Sequence, residues 1–179
     1  TIDTFININN CETSENIVIS VANIEATDID AGPDLIVCQS DAPFELTGFT
    51  PDGGEWIGSP ALNGNIFNPS QSEIGEVILT YSKGTGTCLL QDQLIITVHP
   101  IPTITTATEV SYCLNQGAFQ LNASPLGGNW SGESVSTNGL FTPTIPGEFD
   151  IIYTYTDPIT NCSNEEAITI FIEGIPDFG

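Results

Sequence analysis

Positive charge is almost missing from this chain. One lysine, Lys83, and no arginine stand against 23 carboxylates, for a formal charge of −22 over 179 residues. A nucleic-acid binder needs cations to displace condensed counterions, so that class is excluded. An anionic membrane surface is disfavoured for the same reason. Long apolar runs are also missing: "LIIT" at 94–97 is typical, far below the roughly 20 residues that cross a bilayer. No stretch reads as a signal peptide, methionine is absent and the first residue is Thr1. The sequence is therefore expected to be a segment of a longer polypeptide. Acidity here does not imply disorder. Charged residues are only 13% of the chain and apolar ones 40%, which suits a packed protein with an acidic exterior.

Self-similarity sets the organisation. Aligning "CQSDAPFELTGFTPDGGEWIG" from Cys38 with "CLNQGAFQLNASPLGGNWSG" from Cys113 places Phe44 on Phe119 and Leu46 on Leu121. One residue of slippage later, Trp56 meets Trp130. "NIFNP" at 65–69 then matches "GLFTP" at 139–143, and "GEVILTY" at 75–81 matches "GEFDIIY" at 147–153. Each copy closes with a cysteine, Cys88 or Cys162, and an alternating strand. The N-terminal "NCETSENIVISV" aligns with "NCSNEEAITIFI", placing Cys11 on Cys162. The expected division is residues 1–24 as the closing hairpin of a preceding repeat, 25–101 as repeat 1, and 102–179 as repeat 2 with the start of a linker. Apolar residues alternate with period two, Gly, Pro, Asn and Ser clusters punctuate them, and no helical period is sustained. The expected fold is all-β, a tandem pair of β-sandwich domains in an extended array. Linkers fall near 25–32 and 99–107, the second stiffened by proline.

The glycine clusters "GGEWIG" and "GGNWSG" raise the possibility of a phosphate-cradling loop. Such a loop leads into a helix, and neither copy does. Recurrence with everything around them marks Trp56 and Trp130 as structural core, the glycines allowing close strand approach. The alternative is an exposed sugar-stacking surface. The repeat similarly pairs the cysteines within each copy: Cys38 with Cys88, Cys113 with Cys162, and Cys11 unpaired within the segment. Disulfides imply an oxidising compartment. A cysteine metal site lacks a C-x-x-C pair and has only His99 to add.

The order Cys, G-G-x-W-x-G, G-x-F-x-P, G-x-[FY]-x-I-x-Y-x-Y, Cys and a T-I-T-I-type strand resembles a known family. It is similar to the tandem immunoglobulin-like (PKD-like) repeats of very large Bacteroidota surface proteins, among them gliding-motility adhesins and other type IX secretion cargo. Repeat 1 departs from the pattern at Asn65, where glycine is expected, and has a single Tyr81 where repeat 2 has Tyr153 and Tyr155. The resemblance implies an extracellular stalk at the cell surface. Its partners would be neighbouring repeats of the same polypeptide, with surface polysaccharide or other cell-surface proteins beyond them, and neither nucleic acid nor membrane insertion.

Catalysis has little to build on. Hydrolysis by paired carboxylates needs acids facing across a cleft, and a Ser-His-Asp relay would have to use His99, which precedes a proline in a linker. Calcium is the better ligand candidate, with Asp28, Asp30 and Asp34 in the first linker. Their alternative is to be solvated surface acids. The second linker offers only Glu109, and Lys83 as an isopeptide donor has no counterpart in repeat 2. Two functional readings result: a structural stalk segment, or a carbohydrate- or ligand-binding module.

Overall fold

A computed structural model describes residues 2–8, 11–17, 29–107 and 109–174, with side chains for 29–107 and 111–174. Residues 25–28 of the first linker, Asp28 among them, and the Cys11 and Glu109 side chains lie outside the described residues. The architecture is all-β. Strands β1 (Ile2–Ile8) and β2 (Cys11–Ile17) form an antiparallel hairpin in which Ile8 faces Cys11. Unit 1 follows with β3 (Leu35–Cys38), β4 (Phe44–Glu45), β5 (Glu55–Ile57), β6 (Leu62–Asn63), β7 (Ile66–Phe67), β8 (Gly75–Lys83) and β9 (Leu90–His99). Unit 2 comprises β10 (Thr105–Thr106), β11 (Glu109–Cys113), β12 (Phe119–Gln120), β13 (Ala123–Ser124), β14 (Asn129–Gly132), β15 (Leu140–Phe141), β16 (Gly147–Thr156) and β17 (Ser163–Glu173).

The main sheet of the repeat is reproduced in both units. The main sheet runs β3-β9-β8-β5 in unit 1 and β11-β17-β16-β14 in unit 2, while β4-β7-β6 and β12-β15 form the facing layers. The first strand of each main sheet lies parallel to the last, whereas all other pairs are antiparallel. Two facing sheets in this order make an immunoglobulin-like sandwich. Period-two patterning places the core. Leu79, Tyr81, Leu94, Ile96 and Val98 are buried in unit 1; Ile151, Tyr153, Ile168, Ile170 and Ile172 occupy the matching positions in unit 2. Side chains between them on the same strands face outward, as the pleat requires.

The parallel pair corrects the expected cysteine pairing. Cys38 lies level with His99, the last residue of β9, whereas Cys88 precedes the first. Nine residue steps of β9 therefore separate them, roughly 30 Å at about 3.3 Å per step. A disulfide needs α-carbons about 4.4–6.8 Å apart. Unit 2 repeats the geometry, with Cys113 opposite Glu173 at the end of β17 and Cys162 just before its start. Pairings Cys38–Cys88 and Cys113–Cys162 would have to run the length of a sandwich. The bridge that forms joins Cys38 to Cys162, across the two units, with Cys88 and Cys113 free and exposed.

Candidate functional site: the junction between the units

The junction is assembled from two short backbone devices. At the end of β3, the Cys38 N–H donates to Asp41 Oδ2 at 2.8 Å and the Asp41 N–H donates to the Cys38 carbonyl at 2.9 Å. The Gln39 N–H extends the parallel ladder to the His99 carbonyl. Cys38 is thereby fixed at the end of unit 1 from which the chain departs for unit 2. On the other side, Asp157 organises the turn before β17. Its Oδ1 accepts from the N–H groups of Ile159 at 2.8 Å and Thr160 at 2.9 Å. The Asn161 N–H donates to the Asp157 carbonyl, and Asn161 takes a left-handed φ of 60°, which asparagine tolerates better than most residues. This turn delivers Cys162 to Cys38 with their α-carbons 5.5 Å apart.

Charge and packing complete the joint. The Thr160 N–H above all, then the Ile159 N–H, hold the Asp157 carboxyl below its ordinary pKa, helped by the Thr160 hydroxyl and the charge of His99 and opposed by desolvation. Asn164 Nδ2 donates to the Pro102 carbonyl at 2.8 Å, tying the linker to the start of β17. An open cleft of about 520 Å³ remains beside the bridge, between Ile36 and His99 on one side and Ile159 on the other. Ile36 is 72% exposed and Ile159 88%, so apolar burial contributes little here. The bond itself holds the units together.

Of the acids weighed for calcium, Asp28 lies outside the described residues, while Asp30 and Asp34 each accept a backbone N–H. Asp30 Oδ1 accepts from the Gly32 N–H at 2.8 Å and Asp34 Oδ1 from the Ile95 N–H at 2.9 Å. No group of three or more His, Cys, Asp or Glu among the described residues is arranged to hold a metal. Lys83 donates to the Asp52 backbone carbonyl rather than meeting a side-chain carboxyl or amide.

Around the tryptophans, the two copies share one device that the sequence reading missed. Tyr81 Oη accepts from the Gly54 N–H at 2.8 Å and donates to the Pro51 carbonyl at 2.6 Å. Tyr153 Oη does the same with Gly128 and Pro125, at the same distances. A Cβ on Gly128 would sit 2.6 Å from Tyr153 Oη, and one on Gly54 2.5 Å from Tyr81 Cζ. The second glycine of each cluster therefore makes room for a tyrosine. Each Tyr ring then lies against its tryptophan, at 4.9 Å for Trp56 and 4.8 Å for Trp130. The signal was present as the final Tyr of "GEVILTY" and "GEFDIIY".

Trp130 is 5% exposed within its core. Trp56 is only half-buried, and with Phe49, Gly64 and Asn65 it lines a groove of about 410 Å³. Its Nε1 is buried without a hydrogen-bond partner.

No family model and no curated protein matches the chain. Among solved structures it is similar to Drosophila N-cadherin EC1-3, at 10% identity and a TM-score of 0.34, over 80% of this chain and 65% of that one. It is likewise similar to the titin I-band fragment I67–I69, at 8% identity and a TM-score of 0.35, over 82% and 65%. A third is a SusE-like surface-located polysaccharide-binding protein from the Bacteroides thetaiotaomicron heparin utilisation locus, at 9% identity and a TM-score of 0.36. The chain covers 35% of that structure's length, and slightly under two thirds of the first two.

Proposed function

We propose that this chain is a force-carrying stalk segment of a large secreted cell-surface adhesin, non-enzymatic, acting in adhesion or gliding motility as a type IX secretion cargo of the Bacteroidota kind. The observation that carries the reading is the Cys38–Cys162 bridge, 124 residues apart in sequence and joining the facing ends of consecutive units. Tension applied along the chain passes through the two sulfurs and bypasses everything between them. Such a short circuit lets a stalk keep its length under load. In this reading residues 1–24 are the closing hairpin of a preceding unit, and the oxidised pair reflects an extracellular setting. The surface charge of −22 opposes folding back at short range, within the Debye length.

Single-molecule pulling from the two termini tests it. Without reductant, the chain between the bridged cysteines stays closed. With reductant, about 400 Å of additional contour appears, at roughly 3.3–3.6 Å per residue. Identical contour lengths under both conditions would overturn the stalk reading.

One observation favours a second reading, a carbohydrate-binding module. The half-buried Trp56 ring beside its groove has the form of a small sugar-stacking site, since aromatic faces suit sugar rings. Titration with oligosaccharides while following the emission of a Trp130→Phe variant tests this. A saturable shift would support the module, and an unchanged spectrum across the series would remove it.

A further inference from the structure

Every unit carries two cysteines at opposite ends: one where its first main-sheet strand stops, the other just before its last strand begins. In the bridged pair, Cys38 is the first kind and Cys162 the second. The two free cysteines complete the same scheme. Cys113 ends β11 as Cys38 ends β3, and Cys88 precedes β9 as Cys162 precedes β17. The local geometry repeats as well. The Cys113 N–H donates to Gln116 Oε1 at 3.2 Å, three residues on, as the Cys38 N–H donates to Asp41. Because Cys38 and Cys162 mark the facing ends of the two units, Cys88 and Cys113 mark the outer ends.

We infer that Cys88 and Cys113 are half-bridges, and that their partners are the complementary cysteines of further repeats stacked head to tail. Cys113 takes the closing cysteine of a following repeat, and Cys88 the first-strand cysteine of a preceding one. The result is a disulfide ladder whose loops overlap. Each unit lies between two cross-links, so no unit opens alone under tension. This deepens the stalk reading and rests on it. The second site offers Ser111 where the first offers the exposed Ile36, so the bond, not an apolar contact, is what the two junctions share.

The chemistry balances with a disulfide oxidant. A Cys113 thiolate attacks the oxidant's disulfide, releasing one reduced thiol and leaving a mixed disulfide. The incoming cysteine's thiolate then displaces the second thiol. Two protein thiols are oxidised, one oxidant disulfide is reduced, and two protons leave the protein thiols for the released ones.

The test adds one repeat to the full chain. Residues 103–174 are joined after Pro176, the counterpart of Pro102, so that the linker spacing is kept; the added copy carries Cys113→Ser and Ser163→Thr, so that its Cys162 peptide has a mass of its own and Cys113 occurs once. The chain is refolded with oxidised glutathione, free thiols are alkylated, and a Glu-specific protease releases peptides for non-reducing mass mapping. The expected result is a peptide joining Cys113 to the added copy of Cys162, with loss of alkylation at both and Cys38–Cys162 retained. A Cys113→Ser variant of the same chain checks folding: it should keep Cys38–Cys162 and lose only the new bridge. Retention of Cys38–Cys162 with Cys113 alkylated, or bonded elsewhere, would overturn the ladder and leave the stalk standing. Absence of Cys38–Cys162 from the starting chain would remove the stalk reading itself.

Discussion

Units 1 and 2 share a backbone plan, yet their tryptophans sit at different depths, and one pair of residues accounts for it. In unit 2, Gly139 takes a φ of 85° and lies so close to Trp130 that an added Cβ would meet Nε1 at 2.7 Å. The bare backbone forms a lid on the ring. In unit 1 the same place holds Asn65, whose Nδ2 reaches Glu45 Oε1 at 2.6 Å, and the glycine has moved to position 64. The ladder bond survives, Leu46 to Asn65 in one copy and Leu121 to Gly139 in the other. The lid does not, and a groove opens beside Trp56. The comparison separates what the fold needs from what each copy can vary. The Tyr–Gly contact is needed, because both units keep it; the depth of the tryptophan is not.

The largest expected effect lies at the one junction that breaks the symmetry between bonded and free cysteines. Cys38→Ser should lower the summed unfolding free energy by about 5 kcal/mol, the chain-entropy value for a closed loop of this length. Cys88→Ser should leave it unchanged. Denaturant midpoints of the two variants under non-reducing conditions provide the reading.

Next come the devices common to both units. Tyr153→Phe and Tyr81→Phe each remove an acceptor from a glycine N–H and a donor from a proline carbonyl, costing about 1–3 kcal/mol where the orphaned group is kept from water. Gly128→Ala and Gly54→Ala drive a methyl group into the same tyrosines, at a similar cost of about 1–3 kcal/mol. Thermal unfolding should show equal losses in the two units; a loss confined to one would make the shared contact incidental.

Spectroscopy sharpens the difference between the tryptophans. With Trp130→Phe, the remaining Trp56 should be quenched by acrylamide more readily than Trp130 is in the Trp56→Phe variant. Adding Asn65→Gly should shift Trp56 emission to the blue and reduce its quenching. If Asn65→Gly left Trp56 as accessible as before, the lid explanation would fail.

The smallest effect concerns pH at the junction. The folded pKa of Asp157 is depressed by its backbone donors, so its stabilising contribution is fully present above the unfolded value, near 3.8, and is lost as pH falls through the lower folded value. Amide protection factors at Ile159 and Thr160, taken against the intrinsic exchange rate at each pH, should be steady from neutrality down to that point and fall below it. Asp157→Asn should flatten the profile.

Much of the fold was legible because its causes are local. Alternation along 75–83 and 90–99 follows the pleat, and the recurrence of Phe44, Trp56 and Tyr81 at Phe119, Trp130 and Tyr153 reports one plan used twice. The cysteine pairing was not legible from repetition. Repetition shows that Cys38 and Cys88 belong to one unit, but only the parallel placement of β3 on β9 puts them at opposite ends of it. The depth of Trp56 depended on a backbone approach at position 65, which sequence spacing does not carry.

The central claim is that the units are clamped to one another covalently, and disulfide mapping of the oxidised chain tests it most directly. Trypsin is unsuitable with Lys83 as its single basic cleavage residue, so a Glu-specific protease under thiol-blocked, non-reducing conditions is required. The account predicts one cross-linked species joining the Cys38 peptide to the Cys162 peptide, with Cys88 and Cys113 alkylated. Cross-linked peptides joining Cys38 to Cys88 and Cys113 to Cys162 would contradict it.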